Sequence, residues 1–274
     1  MFKIIIMALL IFIGMVGYDN ITDKAQPTTP IQQEQQKVSK HEKSAAMALF
    51  TSLLPPKEEW PSPVHKFYLA FNMDEVIDPI RQNPNWTGLD AMSRDIPQAL
   101  IAIEDHGFYN HGAIAVEGIL RAALANINAG EVVQGGSTLT QQFVKNVFLS
   151  HEQSMERKIE EAVLSLMLED NYSKDEILEL YLNTTYFGAG STGIKQASRT
   201  YFGKAPSALT LAEAAVIASL PYAPTSLNPL ENPEGCKKRQ LLVLAAMHKY
   251  GIINQGQLAE ARAEKIRLTN GTVM

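Results

Sequence analysis

SKDEILELYL, Ser173 to Leu182, decides the fold class. A serine followed three residues later by a glutamate marks a helix start: the hydroxyl accepts from the third backbone N–H, and the carboxylate reaches back to the serine's own N–H. Behind that pair, Ile177, Leu180 and Tyr181 are spaced to share one side of a helix. The same grammar recurs at Thr210 with Glu213, at Asn254 with Gln257 and at Thr138 with Gln141. Pro97 suits a first helical turn, and the apolar run ALIAIED, residues 99–105, closes on Glu104 and Asp105. Alternating strand patterns are few, so the chain from about Arg94 onward is predicted to be mainly α-helical.

Composition bounds the rest. The chain has 274 residues, 46% hydrophobic and 19% charged, enough to bury a sizeable core in one large or two-lobed domain. Its net charge is -5 and it has no block of Lys or Arg, which argues against a nucleic-acid binder and requires any anionic ligand to be met by locally placed cations. One cysteine, Cys236, excludes an intrachain disulfide and a zinc framework; it is expected to pack as a small apolar residue.

Ile4 to Tyr18 carry no charge, and no small-residue cleavage site follows. Residues 1–18 are therefore predicted to be a retained signal anchor, with Lys3 inside and the remainder on the outer, periplasmic side of the cytoplasmic membrane. Residues 19–60 form a linker, rich in Gln, Thr and Pro at first and then carrying a short apolar helix at 44–54 that Pro55 and Pro56 stop. The folded domain is predicted over residues 61–274.

Three places carry chemistry. Glu104 and Asp105 end an apolar helix, where the negative helix pole and the loss of water both favour a protonated carboxyl; such a group suits a general base. On these residues alone, an acidic pair closing a surface helix is the commoner reading. In GGSTLTQQFVKN, residues 135–146, Thr138, Gln142 and Lys145 share one helix face, Gln141 and Lys145 stand four apart, and Leu139, Phe143 and Val147 define another face. Donors and a cation thus sit behind a helix start that attracts anions, although a solvated polar face fits the pattern equally well. In ERKIEEAVLSLMLE, residues 156–169, the stripe Ile159, Ala162, Val163 and Leu166 is predicted to pack inward. Arg157 and Glu161 pair on the opposite side, a contact worth about 0.2–0.5 kcal/mol if exposed.

Taken together, IAIEDHGFYNHG (101–112), QGGSTLTQQFVKNVFL (134–149), RKIEEAVL (157–164), KDEILELYLNTTYFGAGSTGI (174–194) and LAEAAVIASLPYAPTSLNPLENPE (211–234) resemble the peptidoglycan glycosyltransferases. This is glycosyltransferase family 51, found as stand-alone enzymes and as the first catalytic domain of class A penicillin-binding proteins; the likeness covers roughly residues 93–265. The resemblance implies a lysozyme-like, two-lobed helical domain. It also implies an enzyme that polymerises lipid II into glycan strands by inverting β-1,4 transfer, releasing undecaprenyl diphosphate. By the same resemblance Glu104 is the base toward the acceptor 4-hydroxyl, with Asp105, Phe108 and His111 completing its motif. Ser137, Thr138, Gln141, Gln142 and Lys145 meet the diphosphate and adjoining sugars. Glu161 is the second essential carboxylate, with Arg157 and Lys158 beside it, and it organises the donor diphosphate directly or through a divalent cation, Mg or Mn. Expected partners are lipid II, the growing strand, the membrane and other cell-wall synthesis proteins, with no nucleic acid.

The family's stretch after the first motif touches the membrane. Here that is about residues 114–133, with Ile119, Leu120, Leu124 and Ile127 as apolar contacts, residues that buried packing would explain equally well. The chain departs from the family pattern at Ala113 and Ala115, where a glycine and an acid are usual, and at His106-Gly107, where bulkier, often basic residues are common. It contains no S-x-x-K and no K-T-G, so a monofunctional enzyme or this domain alone is expected. Two rivals are a lysozyme-like lytic glycan hydrolase and a degenerate lipid II-binding accessory protein.

Overall fold

The computed structural model describes residues 68–120, 127, 135–149 and 154–274. The expected anchor (1–18), the linker (19–60) and Leu124 lie outside them. The chain divides into two units, Met1–Asn72 and Met73–Met274. Of the first, only residues 68–72 are described, helical over 68–71; everything below concerns the second.

That unit is mainly α, as the capping pattern predicts. Its helices are α1 (Asp74–Arg81), α2 (Asp95–Glu104), α3 (Leu139–Phe148), α4 (Met155–Asn171), α5 (Lys174–Thr184), α6 (Ile194–Phe202), α7 (Leu211–Ser219), α8 (Pro233–Lys249) and α9 (Gln255–Ala263), with a further helical segment at 116–120. Among the described residues there is no strand, only isolated bridges between Tyr186 and Thr192 and between Arg267 and Val273. No described helix is long and apolar enough to cross a membrane. All four sequence-read helix starts form complete capping boxes, at Thr138, Ser173, Thr210 and Asn254. Each satisfies two backbone N–H groups that would otherwise be orphaned at a helix end.

The core forms where α2, α7 and α8 pack against one another. Every residue from Ala212 to Ser219 is buried, so α7 has no solvated face, and its many small side chains let its neighbours approach closely. Cys236 is buried in α8, as a small apolar residue should be. A second group of contacts joins α3 to α4 and α5. The turn after α5 is fixed by Gly188, at φ +89°, where an added Cβ would lie 2.3 Å from the Pro224 carbonyl oxygen; Tyr201 donates to the Phe187 carbonyl at 2.7 Å beside it.

One helix is turned the other way from its predicted packing. On α4 the buried residues are Glu161, Ser165, Met167 and Leu168, whereas Ile159 is 55% exposed and Ala162, Val163 and Leu166 are only half-buried. Glu161, Ser165 and Leu168 have the same helical spacing as the apolar stripe, so periodicity cannot choose between the faces. The polar face can go inward because its groups are satisfied: Lys158 and Arg157 neutralise Glu161, and the Ser165 hydroxyl donates to the Glu161 carbonyl at 2.6 Å. The stretch after the first motif shows a related difference. Ile119, Leu120 and Ile127 are exposed, the last at 76%, so buried packing does not account for them. At its base Gly136 admits the backbone of Ile119, whose Cα would lie 2.9 Å from a Cβ at that position.

Candidate active site

Glu104 is the last residue of α2. Gln142 on α3 donates through Nε2 to Glu104 Oε2 at 3.1 Å, while its own Oε1 accepts from the hydroxyl of Tyr181 on α5, also at 3.1 Å. Tyr181 is fully buried, so the carboxylate is aimed by a relay anchored in the core. Burial pushes the Glu104 carboxyl above the usual carboxylate range. The Gln142 hydrogen bond and the charges of Arg239 and Lys145 oppose that rise, and the neighbouring Asp105 adds to it.

Arg239 is a residue that sequence reasoning missed. It lies on α8, its guanidinium carbon 4.1 Å from the centre of the exposed Tyr222 ring and its charge within reach of Glu104. Its Nε is buried and has no hydrogen-bond partner among the described residues. The available signal was register: Arg239 stands four residues before the buried Val243, where a helix turned toward the core seldom carries a cation.

The loop after α2 is fastened to the start of α3. Asp105 takes His111 Nε2 on Oδ1 at 2.6 Å and the backbone N–H of Leu139 on Oδ2 at 3.0 Å. His111 Nδ1 faces the Gly112 carbonyl oxygen at 2.6 Å, and the Asp105 hydrogen bond holds the imidazole pKa above its ordinary value. Phe108 is buried beneath the Lys174 ammonium, 4.5 Å from the ring centre. The Thr138 hydroxyl donates to the Ala113 carbonyl at 2.7 Å and accepts from Gln141 N, while Gln141 Oε1 accepts from Thr138 N. Thr138 and Gln141 are therefore buried and occupied in the helix cap. The helix start expected to cradle an anion already holds one, the Asp105 carboxylate.

Glu161 lies on α4, beside the start of α3. Its side chain is 2% exposed, in contact with Lys158 and 3.8 Å from Arg157 Nη1. Lys158 Nζ also donates to Ser137 Oγ at 3.1 Å, and Arg157 Nε is buried without a hydrogen-bond partner among the described residues. One carboxylate already engaged by two cations is a poor donor set for a divalent metal, which takes several free oxygen ligands. Among the described residues no cluster of three or more metal-binding side chains exists.

Both carboxylates are tied to α3 or its start: Glu104 by Gln142, and Glu161 through Lys158 to Ser137. Lys145 is exposed on the same helix, and its charge reaches Glu104. The arrangement offers a carboxylate of raised proton affinity together with cations suited to a departing anion.

Comparison with known proteins identifies the family. The family model described as Transglycosylase matches residues 73–248. A Cupriavidus necator protein named "Putative transglycosylase" is 41% identical over 194 residues, 71% of this chain and 84% of that protein. Penicillin-binding protein 1A of Aquifex aeolicus is 44% identical over 176 residues, 64% of this chain but 24% of its own length. Penicillin-binding protein 1F of Bacillus subtilis is 39% identical over 197 residues, 72% of this chain and 28% of the relative. The chain thus spans about a quarter of the length of these two penicillin-binding proteins. A crystal structure of penicillin-binding protein 1A from Haemophilus influenzae aligns with a TM-score of 0.34 and 33% identity over 48% of this chain and 16% of that one.

Proposed function

The chain belongs to the transglycosylase family, and on that footing we propose that it is a peptidoglycan glycosyltransferase polymerising lipid II into β-1,4-linked glycan strands with release of undecaprenyl diphosphate. The observation that carries this reading is the placement of Glu104, a half-buried carboxylate oriented by Gln142 on α3, whose start is tied to the Arg157, Lys158 and Glu161 group.

The chemistry needs both at once. Glu104, with its proton affinity raised by burial, takes the proton from the acceptor sugar's 4-hydroxyl as that oxygen attacks the donor's anomeric carbon. Attack opposite the leaving group inverts the α-linked donor to a β-linked product, with a sugar alcohol in the place that water takes in an inverting glycosidase. The bond to the lipid diphosphate breaks on the other side, and charge gathers on the leaving oxygens. Lys145 and Arg157 stabilise that charge more as the bond breaks than before, which lowers the barrier rather than merely tightening binding. The charges of Arg239 and Lys145 oppose the rise that burial imposes on the Glu104 carboxyl.

The exposed Val116, Ile119, Leu120 and Ile127 support a membrane-facing role for that part of the molecule, where both lipid-linked substrates reside. A tethered enzyme there searches a surface rather than a volume. Incubating the full chain with lipid II in detergent should give polymer. Short muropeptides released from purified sacculi, without polymer, would favour a lytic enzyme; tight lipid II binding with no product would favour an accessory protein.

A further inference from the structure

Asp105 and His111 belong to the first motif, yet their polar atoms are used within the protein. Asp105 Oδ1 meets His111 Nε2 and Oδ2 meets the N–H of Leu139; His111 Nδ1 meets the Gly112 carbonyl. Both ring nitrogens therefore face oxygens, one a carboxylate and one a carbonyl, that only accept. A neutral imidazole has one N–H, so it would leave a nitrogen lone pair against an oxygen lone pair at 2.6 Å; only the doubly protonated ring satisfies both contacts.

We propose that Asp105 and His111 form a carboxylate–imidazolium clamp, a pair of positioning residues that fasten the Glu104 end of α2 to the start of α3 and screen Glu104 from the negative charge of Asp105. The fastening is direct: Asp105 follows Glu104 in the chain and accepts from the first residue of α3, three residues before Gln142, which orients the base. The screening follows from position, since Asp105 raises the proton affinity of Glu104 and a cation paired to Asp105 opposes that effect. The charged groups acting on the ring are Asp105, which favours the cation, and Lys174, which disfavours it and is itself paired with Glu169 at 2.7 Å. The raised imidazole pKa agrees with the geometry.

The clamp rests on the glycosyltransferase reading for its kinetic consequences but not for its ionisation, so two measurements separate the two. In the first, the full chain labelled with ¹⁵N at its six histidines is titrated in detergent micelles, with the His111 signals assigned by their disappearance in His111→Gln. Both nitrogens should keep the imidazolium signature to a pH above the ordinary histidine transition near 6.5, and Asp105→Asn should lower that transition. A ring that titrates at or below the ordinary value, or one indifferent to Asp105→Asn, overturns the proposal.

In the second, His111→Gln keeps a donor for Asp105 but removes the charge. Its kcat should fall about ten- to a hundredfold with KM nearly unchanged, as expected when a base is displaced while the groups that bind substrate stay in place. The acidic limb of its pH–rate profile should move to higher pH. A raised KM with unchanged kcat would make His111 a substrate ligand, and an unmoved acidic limb would remove the screening role; either result overturns the clamp. If the unaltered protein makes no polymer, the functional reading fails alone, and the histidine titration still decides the pair.

Discussion

Replacing Glu104 by glutamine exchanges one oxygen for an amide and preserves the side chain's shape. The amide oxygen can still accept from Gln142 Nε2, which in the parent protein lies 3.1 Å from Glu104 Oε2, so the contact between α2 and α3 survives. What disappears is the capacity to take a proton. A positioned general base contributes roughly 10²–10⁴ in rate. That is about 3–5 kcal/mol of barrier at roughly 1.4 kcal/mol per factor of ten. Polymerisation at saturating lipid II should fall by that factor while lipid II binding is retained.

Stability should move the opposite way. Burial raises the folded-state pKa of Glu104 above its unfolded value, so the group's contribution to stability is fully present below the unfolded pKa and is lost as pH rises through the folded pKa. Glutamine never ionises and escapes the loss. The variant should therefore melt at an equal or higher temperature than the parent at neutral pH, with the difference vanishing in acid. Turnover equal to the parent's would refute the assignment of the base. A lower melting temperature at pH 7 would refute the account of a carboxylate whose ionisation burial opposes.

Gln142→Leu should show two effects at once. It leaves the buried Tyr181 hydroxyl without its acceptor, costing about 1–3 kcal/mol in denaturant unfolding. It also removes a hydrogen bond that holds the Glu104 pKa down, so the acidic limb of kcat should move to higher pH. Lys145→Ala should slow turnover in single-turnover assays with little change in stability, because the side chain is exposed and the role proposed for its charge is at the departing diphosphate. Gly188→Ala should lower stability by about 1–3 kcal/mol in urea melts, since a non-glycine residue is strained at φ +89° and its Cβ would press on the Pro224 carbonyl.

Where local chemistry dictates structure, the sequence was legible. Four helix starts could be read because a capping box needs only two side chains three residues apart, and all four form. Glu104 was legible as a helix-terminal carboxylate with raised proton affinity, because the helix end and the apolar run before it are both visible in the chain. The inward face of α4 was not, since two faces carry the same spacing and the buried one is polar, made tolerable by cations whose placement is a tertiary fact. The occupant of the α3 start was hidden for a related reason: Asp105 is 34 residues away from Leu139, and no local rule links them. Arg239 lay further still, on a helix that only tertiary packing brings beside α2.

The helix without a solvated face has its own consequence. Methyl-sized side chains at Ala212, Ala214, Ala215 and Ala218 let α2 and α8 close on α7 while they also pack against each other. The field that Arg239 exerts on Glu104 is in this sense calibrated by residues that need never meet a sugar or a phosphate. Drift at those alanines is therefore restricted by bulk rather than by reactivity, and an enlargement there must be matched by a reduction on a flanking helix for the base to keep its poise.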